Sequence, residues 1–339
     1  MGLRRRDLFK AALLTGIASL VVRNDSLYAQ LADRSSGPTT RWNRPANIAP
    51  DEIISLWPEH HLTIPKGLSE QIVQRSDDPL ASDRIAQYIT NPRLEIFRPA
   101  TPNGAAAIIA PGGGYRYCVV DKEGYELARL LRERGVTVYV LFYRLPGDGW
   151  ADAHDVPLVD AQRAVRMVRA RATQDHIHPD KMAFIGFSAG GHVATSLLTR
   201  FDAAVYDPVD LADGASARPD AVIAIYPVVS MDPAITHVGS RDRLIGAHPN
   251  PAMTERYSPE QNVRDDMPPL FLLHAEDDDI VPIANSKRLH EAASAIGAAV
   301  EAHYFAQGAH GFGLMKTAGL PVSIWPELLW NWLHANKLT

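Results

Sequence analysis

The sequence predicts an α/β fold, with a mostly parallel central sheet and helices on both of its faces. Three observations predict it. From about residue 93 onward, short β-rich runs alternate with helical patterns in βαβα order. Some of these runs are continuously apolar, as strands buried on both faces are. Two helical patterns stop at a glycine, Gly135 and Gly297, the residue that most readily leaves a helix.

The elements follow in order. Residues 94–97 alternate and read as a strand. Residues 105–110 form a run of small apolar residues that suits a central strand. Residues 123–134 read as a helix, and 136–143 as the next strand. Asp155 is placed to cap a helix with Pro157 in its first turn, and Leu158, Ala161, Val165 and Val168 fall on one face of it. Residues 182–187 read as a strand, with a helix beginning just after Ser188. Residues 221–226 and 270–274 are further strands, followed by a helix over 283–296, a strand over 300–305 and a helix over 322–334. The segment 227–268 holds Pro227, Pro233, Pro249, Pro251 and Pro259 and has weak periodicity. It reads as a short insert over the C-terminal strand edge, where ligands bind in such folds.

Composition narrows the function classes. The chain has 339 residues, 46% hydrophobic and 22% charged, which excludes disordered, collagenous and coiled-coil readings. Its single cysteine, Cys118, excludes an intramolecular disulfide and a cysteine-based zinc knuckle. A net charge of −5 offers no footprint for nucleic acid. No apolar run reaches the roughly 18 residues that a membrane span needs. The N-terminus, Arg4-Arg5-Arg6-Asp7-Leu8-Phe9-Lys10, precedes a moderately apolar stretch over 11–22. That order reads as a twin-arginine signal over 1–29, with the twin-arginine export machinery as its partner and cleavage after Ala29. The mature chain is then expected to be periplasmic or secreted, with a Pro-rich linker over 30–50 and a single catalytic domain over 51–339.

The strongest motif is Gly186-Phe187-Ser188-Ala189-Gly190-Gly191, a G-x-S-x-G elbow between a strand and a helix. A serine there sits on a strained turn, and a Cβ on either flanking glycine would strike neighbouring backbone. A serine hydroxyl needs a base, and the base needs an acid to orient it. Both follow late strands, in Glu276-Asp277-Asp278-Asp279 and in Gly308-Ala309-His310-Gly311-Phe312-Gly313. Ser188, His310 and Asp278 are the expected triad. Spacing leaves Asp277 and Asp279 open as the acid, with Asp232 a more distant alternative. Among other histidines, His192 is expected to pack or bond locally, His303 to face the sheet, and His274 to shape the acid loop, while His60 and His61 read as structural or exposed. No spacing imitates H-E-x-x-H, and the chemistry requires no metal or organic cofactor. After the strand at 105–110 comes Pro111-Gly112-Gly113-Gly114-Tyr115, close to the HGGG oxyanion element with Pro111 in place of histidine. Gly113, Gly114 and Ala189 are the expected oxyanion donors, with the glycine register open by one.

Taken together, these motifs, with the Val281-Pro282 end of the acid loop, resemble the acetyl-xylan-esterase-like branch of α/β-hydrolases. Thr236-His237-Val238-Gly239-Ser240-Arg241, Leu244-Ile245-Gly246 and Pro282-Ile283-Ala284-Asn285-Ser286 resemble that branch as well, and the likeness covers roughly residues 53 to 335. The resemblance implies an α/β-hydrolase fold and a serine esterase that removes acetyl groups from carbohydrate such as acetylated xylan. A peptidase or lactone hydrolase on the same fold, and a non-catalytic binding protein, are the competing readings. Tyr115, Trp150, His237 and Arg241 are the candidate substrate contacts, with Trp150 as a sugar-stacking platform.

Overall fold

A computed structural model of the protein describes residues 48–78 and 82–339. The chain passes through β1 (Glu52–Ser55), β2 (Gln71–Gln74), β3 (Arg84–Gln87), β4 (Arg93–Phe97), β5 (Ala106–Ala110), β6 (Cys118–Val119), β7 (Thr137–Phe142), β8 (Met182–Phe187), β9 (Ala221–Ile225), β10 (Leu270–Ala275) and β11 (Val300–Phe305). Eight of these form one sheet in the order β1-β4-β7-β5-β8-β9-β10-β11. β1 and β4 are antiparallel to their inner neighbours, and from β7 to β11 the strands run parallel. The continuous apolar runs occupy the middle of the sheet because helices cover both faces there, so β5, β7, β8, β9 and β10 are buried throughout.

The crossover helices are α1 (Glu126–Glu133), α2 (Val156–Ala170), α3 (Ser188–Arg200), α4 (Val238–Ile245), α5 (Pro251–Arg256), α6 (Ala284–Ala295) and α7 (Trp325–Ala335). The chain leaves β5 for β7 on one side and then returns across β5 to β8 on the other. This reversal is what positions the site. The connections after β5 and β8 diverge from adjacent strand ends and open a crevice at the C-terminal edge. The register brings Ala110 level with Gly186, so the two glycine-rich turns start side by side.

The structure departs from the sequence reading at several elements. Three strands precede residue 93: β1 on the sheet edge, and β2 and β3, which join β6 in a small antiparallel sheet. They are four residues long and mostly exposed or half-buried, so the apolar signal of a core strand is missing. The helix expected from residue 123 begins with a wider π-type turn over Asp121–Tyr125. Asp155 precedes α2 but its side chain does not cap it. Its carboxylate instead accepts from Arg200, Arg256 and Tyr257 at 3.0 Å each, tying the helix to the insert. The insert over 227–268 contains α4 and α5, the latter capped by Asn250 with Pro251 in its first turn. Among the described residues no helix is long and apolar enough to cross a membrane. The expected export signal over 1–29 and the linker up to residue 47 lie outside the described residues.

Candidate active site

The elbow follows from steric exclusion. Ser188 has φ of +51°, a left-handed conformation that a non-glycine residue adopts only when its surroundings impose it. A Cβ on Gly186 would lie 2.1 Å from Gly190 O, and one on Gly190 would lie 2.1 Å from Ala110 O. The turn is therefore pressed against the end of β5, and the serine hydroxyl projects where β8 meets α3.

Ser188 Oγ lies 2.9 Å from His310 Nε2, and His310 Nδ1 lies 2.7 Å from Asp278 Oδ2. With Nδ1–H donating to the carboxylate, Nε2 is the acceptor for the serine proton. Asp278 is buried and heavily hydrogen-bonded. Its Oδ1 accepts the Ile280 and Val281 N–H groups at 3.0 and 2.8 Å, and its Oδ2 receives His274 Nε2–H at 3.1 Å as well. Burial alone would raise its pKa, but the His274 and His310 hydrogen bonds, the His310 charge and the Val281 N–H outweigh burial and hold it well below the usual carboxylate range. His274 is itself fully buried, and its Nδ1 faces Ser286 Oγ at 2.7 Å.

The neighbouring carboxylates do other things. Asp277 is exposed and accepts the Gly308 and Ala309 N–H groups at 2.9 and 2.7 Å, so it braces the loop that presents His310. Asp279 is exposed, and Asp232 pairs with Arg288 at 2.7 Å. Only Asp278 of this set reaches the imidazole.

The loop after β5 closes over the elbow. Gly112 N–H donates to Glu123 Oε2 at 2.9 Å, so this amide is committed within the protein. Gly113 has φ of +131° and no room for a Cβ, which would stand 2.1 Å from Tyr117 O. Gly113 and Gly114 line the cleft beside Ser188, and Ala189 opens the first turn of α3, where backbone donors have no helical acceptor. These three residues are the donors expected from sequence, and two of them, Gly113 and Gly114, reach the cleft. Of the three glycines, Gly112 is the one whose amide is already spent, on Glu123.

Glu123 and Tyr226 join the site without any motif to mark them. Glu123 is 3% exposed. Its Oε1 accepts the Tyr226 O–H at 3.0 Å, and the Tyr226 oxygen accepts Gly313 N–H at 3.3 Å. The Tyr226 ring packs edge-on against His310 at 5.0 Å. One buried carboxylate therefore links the oxyanion loop to the loop of the base. Nothing local marks Glu123, since it looks like an ordinary first-turn helix residue.

The four candidate substrate contacts divide. His237 lines the cleft, and its Nδ1 accepts from Ser240 N–H at 3.3 Å, which puts the ring proton on Nε2. Burial, His310 and Arg243 together lower its pKa, so it is neutral at pH 7. Tyr115 is buried away from the cleft, with its O–H on His192 Nδ1 at 2.7 Å, while His192 Nε2–H donates to Tyr257 O at 2.8 Å. Burial holds His192 down at about 4, so it is a neutral strut beneath the oxyanion loop. Trp150 is 6% exposed and lies under the Arg144 guanidinium, so it is packing rather than a sugar platform. Arg241 is buried and tied to Asp242, and the arginine that α4 brings to the cleft is Arg243, two residues on. The offset arises because α4 turns Arg241 inward and Arg243 toward Gly239 and the site.

A family model described as BD-FAE matches residues 94–293. An endo-1,4-beta-xylanase B of Butyrivibrio fibrisolvens is 36% identical over 204 residues, covering 60% of this chain and 32% of that protein. An acetylxylan esterase of Xylanibacter ruminicola is 32% identical over 226 residues, covering 65% of this chain and 44% of that protein. The chain thus spans less than half the length of either relative. Among solved structures, an acetyl ester-xyloside bifunctional hydrolase from Caldicellulosiruptor lactoaceticus matches with a TM-score of 0.71 and 30% identity, over 86% of this chain and 98% of that one. With the α/β-hydrolase sheet order, the serine elbow and a family match over most of the core, the chain belongs to the BD-FAE family of α/β-hydrolases.

Proposed function

We propose that this protein is a serine carboxylic-ester hydrolase that removes acetyl or other short acyl groups from carbohydrate, acetylated xylan and its oligosaccharides being the leading substrates. The observation that carries the reading is the unbroken chain Ser188 Oγ, His310 and Asp278, opening into a cleft that Gly113 and Gly114 also line. His310 Nε2 takes the serine proton as Oγ attacks the acyl carbonyl. The carbonyl oxygen becomes an oxyanion held by the three amides. His310 then gives the proton to the departing alcohol, and water, activated the same way, clears the acyl-enzyme. Asp278 stays anionic throughout and stabilises the imidazolium.

The carbohydrate part of the reading rests on the similarity to the xylanase, the acetylxylan esterase and the acetyl ester-xyloside hydrolase. Hydrolysis of 4-nitrophenyl acetate by the wild type, with a loss of at least about 10³-fold in Ser188→Ala, is the expected result. Acetate release from acetylated xylo-oligosaccharides then tests the substrate class. A wild type inert toward every ester would favour a binding protein on a hydrolase scaffold. The twin-arginine pattern at Arg5-Arg6 supports export to the periplasm or beyond as part of the same proposal.

A further inference from the structure

The chain carries a net charge of −5, yet the cleft around its serine is lined by cations. The cleft has a volume of about 330 Å³, enough for an acyl group and part of a sugar ring. Arg75, Arg116, Lys122 and Arg243 line it, and among the described residues Glu123 is the one carboxylate that does. Arg75 is neutralised by Asp83, 2.6 Å away. Glu123 spends both oxygens inward, on Gly112 N–H and Tyr226 O–H. Arg116, Lys122 and Arg243 have no carboxylate within ion-pair distance among the described residues, and Arg243 donates only to Gly239 O, at 2.9 Å.

These charges flank the serine on two sides. A Cβ built on Gly239 would lie 3.3 Å from Arg243 Nη1 and 3.2 Å from His237 Cε1, and one on Gly114 would lie 3.4 Å from that same His237 atom. Arg243 therefore stands behind His237 on the oxyanion-loop side. On the other side, a Cβ on Gly311 would lie 3.5 Å from Lys122 Nζ, directly beside His310. Arg116 is exposed on the oxyanion loop itself. The positive field is felt locally: Lys122 lowers the pKa of Lys316, and Arg243 adds to burial and His310 in lowering that of the neutral His237. Like charges gathered in a concave wall repel, and they focus a positive field on whatever enters. A neutral sugar ester uses that field only at its transient oxyanion, not in the bound ground state. A carboxylate does, and the guanidinium forks match its two oxygens.

We propose that the cleft selects esters bearing a carboxylate, held by Arg243 and Arg116 with Lys122 on the opposite wall. This rests on the esterase reading above and names its substrate class. The carboxylate can sit on the alcohol side, as in an acetylated uronic acid residue, or on the acyl side, as in a dicarboxylate hemi-ester.

The test measures kcat/KM at low salt for two matched pairs: acetylated methyl glucuronoside against acetylated methyl glucoside, and 4-nitrophenyl succinate against 4-nitrophenyl butyrate. One pair is expected to favour its anionic member at least tenfold, and which pair does so locates the carboxylate. That ratio is expected to fall at least fivefold in Arg243→Gln and in Arg116→Gln, and to collapse toward one in 0.5 M NaCl. Lys337→Gln, the same charge change after the last helix, keeps the wild-type ratio. Ratios at or below one in both pairs, or a preference indifferent to both arginine substitutions and to salt, overturn the proposal. Turnover of none of the four esters refutes the esterase reading instead. Calorimetric titration of the wild type with methyl glucuronoside and methyl glucoside then decides the cleft: selective uptake of the uronate supports the proposal, and equal or no uptake overturns it.

Discussion

Replacing Glu123 with Gln tests whether the oxyanion loop is held in place from beneath. The carboxylate accepts Gly112 N–H at 2.9 Å and Tyr226 O–H at 3.0 Å, so it joins the loop after β5 to the loop of His310. Glutamine keeps the shape but presents one oxygen. With that oxygen toward Gly112, its amide meets the Tyr226 oxygen, which already receives Gly313 N–H at 3.3 Å, and the tyrosine proton loses its acceptor. With the oxygen toward Tyr226, two N–H groups confront each other at Gly112. Either way a buried donor goes unsatisfied, at about 1–3 kcal/mol, and a charge-assisted bond is lost. We expect a stability loss of about 2 kcal/mol. The catalytic effect follows from the donors that the loop carries. Complete loss of one oxyanion donor costs about 3 kcal/mol, so displacing Gly113 and Gly114 should lower kcat by roughly 10- to 100-fold. KM should change little, because the oxyanion exists only beyond the ground state. The sign is informative. Glu123 Oε2 and Ser188 Cβ would each lie 2.7 Å from a Cβ on Gly112, so removing this negative charge would by itself favour a nearby oxyanion. A fall in kcat therefore reports geometry rather than charge. The assay is kcat and KM on 4-nitrophenyl acetate with Tm measured in parallel, and with Tyr226→Phe as a milder companion expected to lose less than tenfold. Wild-type kcat in a destabilised Glu123→Gln would refute the clamp.

Asp278→Asn should lower kcat/KM by about 10³- to 10⁴-fold by offering His310 the wrong hydrogen-bond partner, whereas Asp277→Ala, which loosens only the Gly308–Ala309 turn, should cost about tenfold; equal losses would contradict the assignment of the acid. Glu126 is buried, its Oε2 lacks a partner among the described residues, and burial pushes its pKa up to about 8 despite Lys122 and the Leu314 backbone. A raised carboxyl pKa means that the folded state holds the proton longer, so stability is full below the unfolded value near 4.5 and falls as pH rises toward 8. Glu126→Gln escapes that loss, and its Tm advantage over wild type should grow between pH 5 and pH 8 by the equivalent of up to about 4 kcal/mol; a gap independent of pH would sink the argument. Lysine at both Arg5 and Arg6 should trap the precursor inside an exporting host, and unchanged delivery of mature protein would remove the twin-arginine reading.

Much of the fold was legible because its signals are local. The runs at β5, β7, β8, β9 and β10 are apolar at every position, as burial on both faces demands, and a glycine must flank Ser188 wherever a strand turns so sharply into a helix. The four-residue strands β1, β2 and β3, two at sheet edges and one in the middle of the small sheet, are too short and bury too little to leave such a pattern. Convergence is another matter. Four consecutive acidic residues follow β10, and only the turn that aims Asp278 inward, fixed by the Ile280 and Val281 amides and by His274, separates it from Asp277 and Asp279. The roles of Glu123, Tyr226 and Arg243 likewise depend on contacts between segments up to 103 residues apart in the chain. Sequence by itself determined which backbone turns must exist, because sterics act between neighbours. The tertiary structure alone decided which side chains share a cleft, because hydrogen bonds and charges act through space.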